Sequence, residues 1–275
     1  MMDWAVLDCS NLVWRMFYSI GQRDPIASIV SFVLDIPKLV DQVQASSVVF
    51  ACDHPPYKRN EIWPSYKRSR ITSNIIASSQ LKMRSHIAKL PDYLELLGYQ
   101  NVFHQPGYEA DDIMAMVATS IPEPDRVILV TSDTDLYQCL NKRVAVYHPR
   151  LPPQFVTSRW FRSYYKIKPD LWAQWRCLVG CQTDCIPGMP RVSSETGMRF
   201  FRGELKGTLL HAKILEFNRS ADYTRNWKLI ALPMPGMASI SPVQQSSYPP
   251  SGGYSALAEK LGISIPQPLR QPCRV

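Results

Sequence analysis

The sequence predicts an α/β fold with a mostly parallel central sheet flanked by helices, and three observations carry that expectation. Short apolar runs of strand length occur at Trp4-Ala5-Val6-Leu7, at Ser46 to Cys52 and at Val127-Ile128-Leu129-Val130. Segments with apolar residues at helical spacing alternate with them, the pattern of a sheet whose strands are joined by crossover helices. Each run leads to an aspartate: Asp8, Asp53 and Asp133. In open sheets of this kind ligand sites lie outside the carboxyl ends of the strands, so these three acids are expected to converge on one edge.

Taken in order, the first strand ends at Asp8, and Cys9-Ser10-Asn11 lead into a helical pattern through Leu12, Arg15 and Met16. Ile26 to Val43 repeat apolar residues at helical spacing, interrupted by Pro37, and the second strand ends at Asp53. From Pro55 to Arg70 basic and aromatic residues interleave without an apolar stripe; cations there can pair with phosphates and rings can stack on bases. Ile75 to Leu97 read as one long helix with Lys82, Arg84 and Lys89 on its polar side.

The densest chemistry follows. Gly107-Tyr108-Glu109-Ala110-Asp111-Asp112 opens a helix through Ile113 to Ala118, and Thr131-Ser132-Asp133-Thr134-Asp135 closes the third strand. Glu109 and Asp112, three apart, share a helical face, and Asp135 shares a strand face with Asp133. Acids stabilise any helix N-terminus by about 0.3–1 kcal/mol each, but this many at element ends exceeds that need. Oxygen-only ligands point to Mg²⁺ or Mn²⁺.

Val144 to Tyr147 read as another strand, Thr157 as the cap of a helix through Trp160, Phe161 and Tyr164, and Pro169 to Leu178 as a further helix. Gly180 to Pro190 is turn-rich and carries Asp184. Helical patterns at Met198 to Leu205, Leu209 to Phe217 and Tyr223 to Leu232 form a small helical region. From Pro233 onward Pro, Ser, Gly and Gln dominate apart from Ala256 to Leu261, so 233–275 reads as a mostly irregular tail. The expected division is 1–176, 177–232 and 233–275.

Composition bounds the partners. Lys and Arg number 31 against 23 Asp and Glu, a formal net charge of +8, which favours a polyanion. No apolar run reaches the length of about eighteen residues that a membrane helix needs, and no signal-peptide layout precedes the first strand. A soluble, cytoplasmic monomer with no membrane partner is the expectation. The seven cysteines show no disulfide spacing. Cys177, Cys181 and Cys185 recur every fourth residue, but Pro187 and Gly188 break the segment, favouring small buried thiols over a metal site.

With these motifs in hand, the chain resembles the 5′-nuclease superfamily of phage and bacterial 5′→3′ exonucleases, polymerase-associated 5′-nuclease domains and flap endonucleases. The resemblance covers roughly residues 3 to 232 and rests on an ordered set: Leu7-Asp8 before Ser10-Asn11, Asp53, Trp63-Pro64-Ser65-Tyr66-Lys67 with Arg70, the Gly107 to Asp112 and Thr131 to Asp135 clusters, and Gly180 to Gly188. It implies a PIN-like catalytic domain over 1–176, a helix-hairpin-helix-like DNA-binding region over 177–232, and two divalent ions. Asp8, Asp53, Glu109, Asp111 and Asp112 would serve one metal, directly or through water, and Asp133, Asp135 and Asp184 the other. Lys67 and Arg70 would contact the scissile phosphate, and Tyr57, Arg59, Trp63 and Tyr66 would form the gateway for a single strand. Gly188 and Arg191 would meet duplex backbone.

The resemblance further implies a DNA substrate with a 5′ end, flap or junction, in a bacterial cell or a phage-infected host. A non-catalytic junction-binding homologue, and a PIN-type ribonuclease or primer-removing enzyme acting on RNA/DNA hybrid, stay open as alternatives. One departure bears on the metals: Cys181 stands where the family has Asp, and Cys185 where it has Asn, so the second ion is in doubt because a thiol is a poor Mg²⁺ ligand. The hairpin departs as well, with Arg191 and Ser193 at its expected glycines and Glu195 at a usually basic position.

Overall fold

The computed structural model describes residues 2–19, 24–68, 78–149, 152–250 and 252–266. In the first half the chain runs through β1 (Asp3–Asp8), α1 (Cys9–Ser19), α2 (Pro25–Gln42), β2 (Ser47–Ala51), α3 (Arg59–Ile62), α4 (Ser78–Ala88), α5 (Leu90–Leu96), β3 (Val102–Phe103), α6 (Ala110–Ser120) and β4 (Arg126–Val130). After a 3₁₀ turn at Thr134–Cys139 come β5 (Val144–Tyr147), β6 (Phe155–Val156), α7 (Ser158–Tyr165), a second 3₁₀ turn at Pro169–Leu171, and α8 (Trp172–Val179). A small ribbon, β7 (Gly180–Cys181) and β8 (Ile186–Pro187), leads to α9 (Ser194–Phe201), α10 (Leu209–Phe217), α11 (Ala221–Ile230) and α12 (Gly253–Leu261).

The main sheet has the order β3-β2-β1-β4-β5-β6 and is parallel except for β6. Its strands alternate between two apolar layers, as the two-residue period requires. Ala5, Leu7, Val48, Phe50, Ile128 and Val130 face a core that includes Phe17, Phe32, Leu39 and Leu257. Trp4, Val6, Val49, Ala51, Val127 and Leu129 face the other, with Ile113, Val117, Phe161 and Trp172. Burial on both faces is why these strands read as unbroken apolar runs.

Three local expectations change. The long helix expected from Ile75 is two helices, because Pro91 lies in the first turn of α5, where a missing N–H costs least; residues 75–77 lie outside the described residues. Conversely, α2 runs on through Pro37, started by Asp24, whose carboxylate accepts the Ala27 N–H. The segment after Pro233 is irregular in conformation yet packed. Gln245 takes the N–H groups of Gln100 and Asn101 on its side chain, its carbonyl accepts the Val48 N–H beside the short β3, and Tyr254 and Leu257 of α12 enter the first core. Gly253 permits that docking, since a Cβ there would lie 2.3 Å from the Leu97 carbonyl oxygen.

Candidate active site

The chain lays down β1, β2 and β3 in one direction and then returns through α6 to place β4 on the other flank of β1. This reversal opens a crevice past the carboxyl ends of the strands. Asp8 is the last residue of β1, Asp53 follows β2, and Asp133 follows β4, so the predicted convergence of the three acids is what the topology delivers.

Asp8 is buried, and it holds two partners: Oδ1 accepts the Asn11 N–H at 3.0 Å and Oδ2 the Thr131 hydroxyl at 2.8 Å. Burial and then Asp53 push its carboxyl up to about 7, with Asp133 adding to the rise and the two hydrogen bonds opposing it. Asp111, in the first turn of α6, is raised well above the usual carboxylate range by burial, then by Asp133 and Asp8. Asp135 is raised to about 6 by burial and Asp133, against the pull of Arg176. Asp53 also caps α6 from a neighbouring strand, accepting the Ala110 N–H at 2.8 Å.

Glu109, Asp111, Asp133, Asp135 and Asp184 line one small open cleft together with Arg59, Tyr66 and Lys67. Among the described residues no three His, Cys, Asp or Glu side chains form a ready-made metal cage. The acids line walls rather than enclose a point. Even so, their donors are all oxygen, and Asp111 and Asp135 have their proton affinity raised by burial and the neighbouring Asp133 charge, the condition a hard divalent cation relieves. On the side of Asp8, Asp111 and Asp133 the donor set fits such a cation.

Lys67 enters from the opposite side. Its backbone is left-handed, with φ of 54°, its N–H donates to the Asp184 carbonyl, and its ammonium pairs with Glu109. The Tyr57 and Tyr66 rings lie 5.5 and 5.2 Å from Nζ. Burial alone would raise Glu109, but Lys67, then Arg59 and the hydrogen bonds from Lys67 and Tyr66, hold it below the usual range.

Several expected residues take other roles. Arg59 is buried in the wall of the cleft, with Nη1 and Nη2 at 2.5 and 2.8 Å from the two Asp112 oxygens, Nη1 3.0 Å from Glu109, and Nε donating to the Leu229 carbonyl. Both oxygens of Asp112 are thereby engaged, since it also accepts the N–H groups of Met234 and Glu109. The buried Tyr66 gives its hydroxyl to Glu109 at 2.7 Å, so its ring belongs to the wall. Trp63 donates to the Cys185 carbonyl, and Arg225 covers its ring at 4.4 Å. Asp135 does not extend the strand; Asp133 caps the 3₁₀ turn and accepts the Asp135 N–H. Tyr57 is half-buried beside the Lys67 ammonium, and Arg70 lies outside the described residues.

In the turn after α8, a Cβ on Gly188 would lie 2.3 Å from the Val179 carbonyl group, so close backbone packing explains this glycine. Arg191 is exposed with φ of 65°. The three cysteines do not share a helical face: α8 ends at Val179, Cys181 is on β7, and Cys185 sits in a left-handed turn. Sequence reasoning missed Arg176, whose Nε and Nη2 lie 2.7 and 2.6 Å from Asp135 Oδ1. Its signal was a lone cation in the apolar run Trp172 to Val179.

Several known proteins are similar to this chain. The thermostable DNA polymerase I of Thermus thermophilus is 29% identical over 214 residues, covering 74% of this chain but 24% of the polymerase. The chain thus spans about a quarter of the length of that relative. A 5′-3′ exonuclease of Aquifex aeolicus is 26% identical over 204 residues, covering 72% of this chain and 68% of the relative. The fold is similar to that of the bacteriophage T5 D15 flap endonuclease solved with DNA and metal ions, with a TM-score of 0.69 at 19% identity over 93% of this chain and 92% of the other. The family model described as the 5′-3′ exonuclease N-terminal resolvase-like domain matches residues 3–166, well over half of the sequence, and the chain belongs to that family.

Proposed function

We propose that this protein is a divalent-metal-dependent 5′→3′ exonuclease or flap endonuclease that hydrolyses phosphodiesters of DNA. One observation carries the reading: Asp111 and Asp133 line a cleft beside Asp8, at the reversal of a parallel sheet, and the Lys67 ammonium enters the same cleft. A general anion-binding site would not gather acids, and a purely structural acidic cluster would not need a cation on a left-handed loop facing it. The similar T5 flap endonuclease, solved with DNA and metal ions, supports both the substrate and the cofactor class.

In this reading Asp8, Asp111 and Asp133 hold Mg²⁺ or Mn²⁺, which when bound supplies Lewis-acid polarisation of a phosphoryl oxygen and a water of lowered pKa. Lys67 exchanges its Glu109 partner for a phosphate oxygen and stabilises the charge that develops there. Glu109 stays fixed meanwhile by Tyr66 and Arg59, so the wall of the cleft keeps its shape. Residues 1–176 are the catalytic domain, 177–232 hold duplex through the turn bearing Gly188 and Arg191, and the described residues of the last segment, 233–275, brace the first. The protein works as a cytoplasmic monomer, and binding weakens with salt as phosphate contacts release counter-ions.

A labelled 5′-flap DNA, incubated with Mg²⁺, Mn²⁺ or EDTA, tests the proposal, with a matched RNA flap alongside. Wild type should release short DNA products with either ion and none in EDTA, and Asp133→Asn should be inactive. Flap binding without cleavage by either ion would sink the enzymatic reading in favour of a junction-binding role. Faster cleavage of the RNA flap would move the substrate to RNA.

A further inference from the structure

The two ends of the cleft are chemically unequal. At one end three carboxylates gather at the carboxyl edge of the sheet: Asp8 closes β1, Asp133 follows β4 and Asp111 stands in the first turn of α6. At the other, each acid already has a partner of a kind that does not suit a second hard ion. Asp135 Oδ1 accepts both Nε and Nη2 of Arg176. Asp184 Oδ2 accepts the Cys181 thiol at 3.4 Å, and the same sulfur lies 3.1 Å from the Thr183 hydroxyl.

Sulfur is a soft ligand that Mg²⁺ and Mn²⁺ do not favour, so Cys181 adds little to a site for either. The guanidinium, by contrast, carries a unit charge that it cannot lose in a protein, and its planar fork suits a carboxylate. It is fixed in place by α8 and lies against the Trp175 ring at 5.8 Å. A second ion at this end would have to share Asp135 with that charge, and Coulomb repulsion between a dication and a guanidinium joined through one carboxylate weakens its hold.

From this geometry we infer that the protein carries one resident hard divalent cation, at the Asp8, Asp111 and Asp133 end, and that Arg176 supplies the fixed positive charge at the Asp135 and Asp184 end in place of a second ion. The inference rests on the metal dependence proposed above, but it concerns how many ions bind and can be read without any cleavage. Arg176 acts here as a positioning residue for Asp135.

Counting Mn²⁺ on the full chain by the loss of the free-ion electron paramagnetic resonance signal, with and without a 5′-flap DNA, is the test. Wild type and Cys181→Ser should each hold one Mn²⁺. Cys181→Asp should hold two, and adding Arg176→Gln to it should tighten the second by about tenfold or more, the scale of a single lost charge contact. Thermal unfolding of every variant in EDTA identifies any that fails to fold. Two Mn²⁺ of comparable affinity on wild type would overturn the inference, as would a folded Cys181→Asp protein that still holds one. One bound Mn²⁺ with no flap cleavage would overturn the nuclease reading and leave this inference standing.

Discussion

Replacing Arg59 separates a buried brace from a strand-binding cation, because the two roles predict opposite losses. The guanidinium makes paired contacts to Asp112 at 2.5 and 2.8 Å, a third to Glu109 at 3.0 Å and a fourth to the Leu229 carbonyl, all with the side chain 2% exposed. Truncating one partner of a buried pair leaves the other charge uncompensated, at about 3–5 kcal/mol. Arg59→Ala strands two acids, so its loss belongs at the upper end of that range and takes a large share of the 5–15 kcal/mol or so that holds a typical protein folded. Arg59→Lys is the milder probe: it keeps the charge but not the fork, and should lose about 1.5–3 kcal/mol, the worth of a hydrogen bond to a charged group. Equilibrium unfolding in urea, followed by the fluorescence of the seven tryptophans, reads both. A double-mutant cycle with Asp112→Asn should show coupling well above the few tenths of a kcal/mol that distant sites give. If Arg59→Lys unfolds at the wild-type midpoint while its flap affinity falls tenfold, the buried-brace reasoning fails and the guanidinium works on DNA.

Lys67→Ala should lower flap cleavage by about 10²–10³-fold, as expected for one donor to developing charge, while flap affinity changes far less; equal losses in both would make Lys67 a binding residue only. Asp8 is held at about 7 in the folded chain against 3.8 unfolded, so folding favours its protonated form. That contribution to stability is fully present below the unfolded value and is lost as pH rises to about 7, so in EDTA the melting temperature should fall between about pH 4 and 7 and level off above. Asp8→Asn should flatten this fall by on the order of a few kcal/mol, and an unchanged slope would refute the assignment. Glu109 runs the other way: its folded value is depressed, so its contribution is present above the unfolded 4.5 and is lost as pH falls below that. Truncation after Leu232 removes the buried Tyr254 and Leu257, each worth about 1.5–3 kcal/mol, together with the Gln245 bonds to β2 and the loop before β3. The shortened chain should melt well below the full one, and an unchanged midpoint would show that the segment is not a brace.

What the sequence disclosed and what it hid divide along the range of the interactions. Strands buried on both faces must be apolar throughout, so β1, β2 and β4 announced themselves, and the rule for parallel sheets then put Asp8, Asp53 and Asp133 on one edge. No local pattern could sort the cations of Pro55 to Arg70. Arg59 and Lys67 stand in the same basic and aromatic stretch and both line the cleft, yet one is buried against Asp112 and the Leu229 carbonyl from α11 and the other is partly exposed. The packed segment after Pro233 was hidden for a related reason: its composition reports conformation, which is irregular, and not contact, which is extensive. Asp111 and Asp112 make the point most sharply. Successive residues on a helix point about 100° apart, so the first acid looks into the cleft and the second back at Arg59, and only the side on which α11 closes decides which of two identical side chains is free for chemistry and which holds the fold.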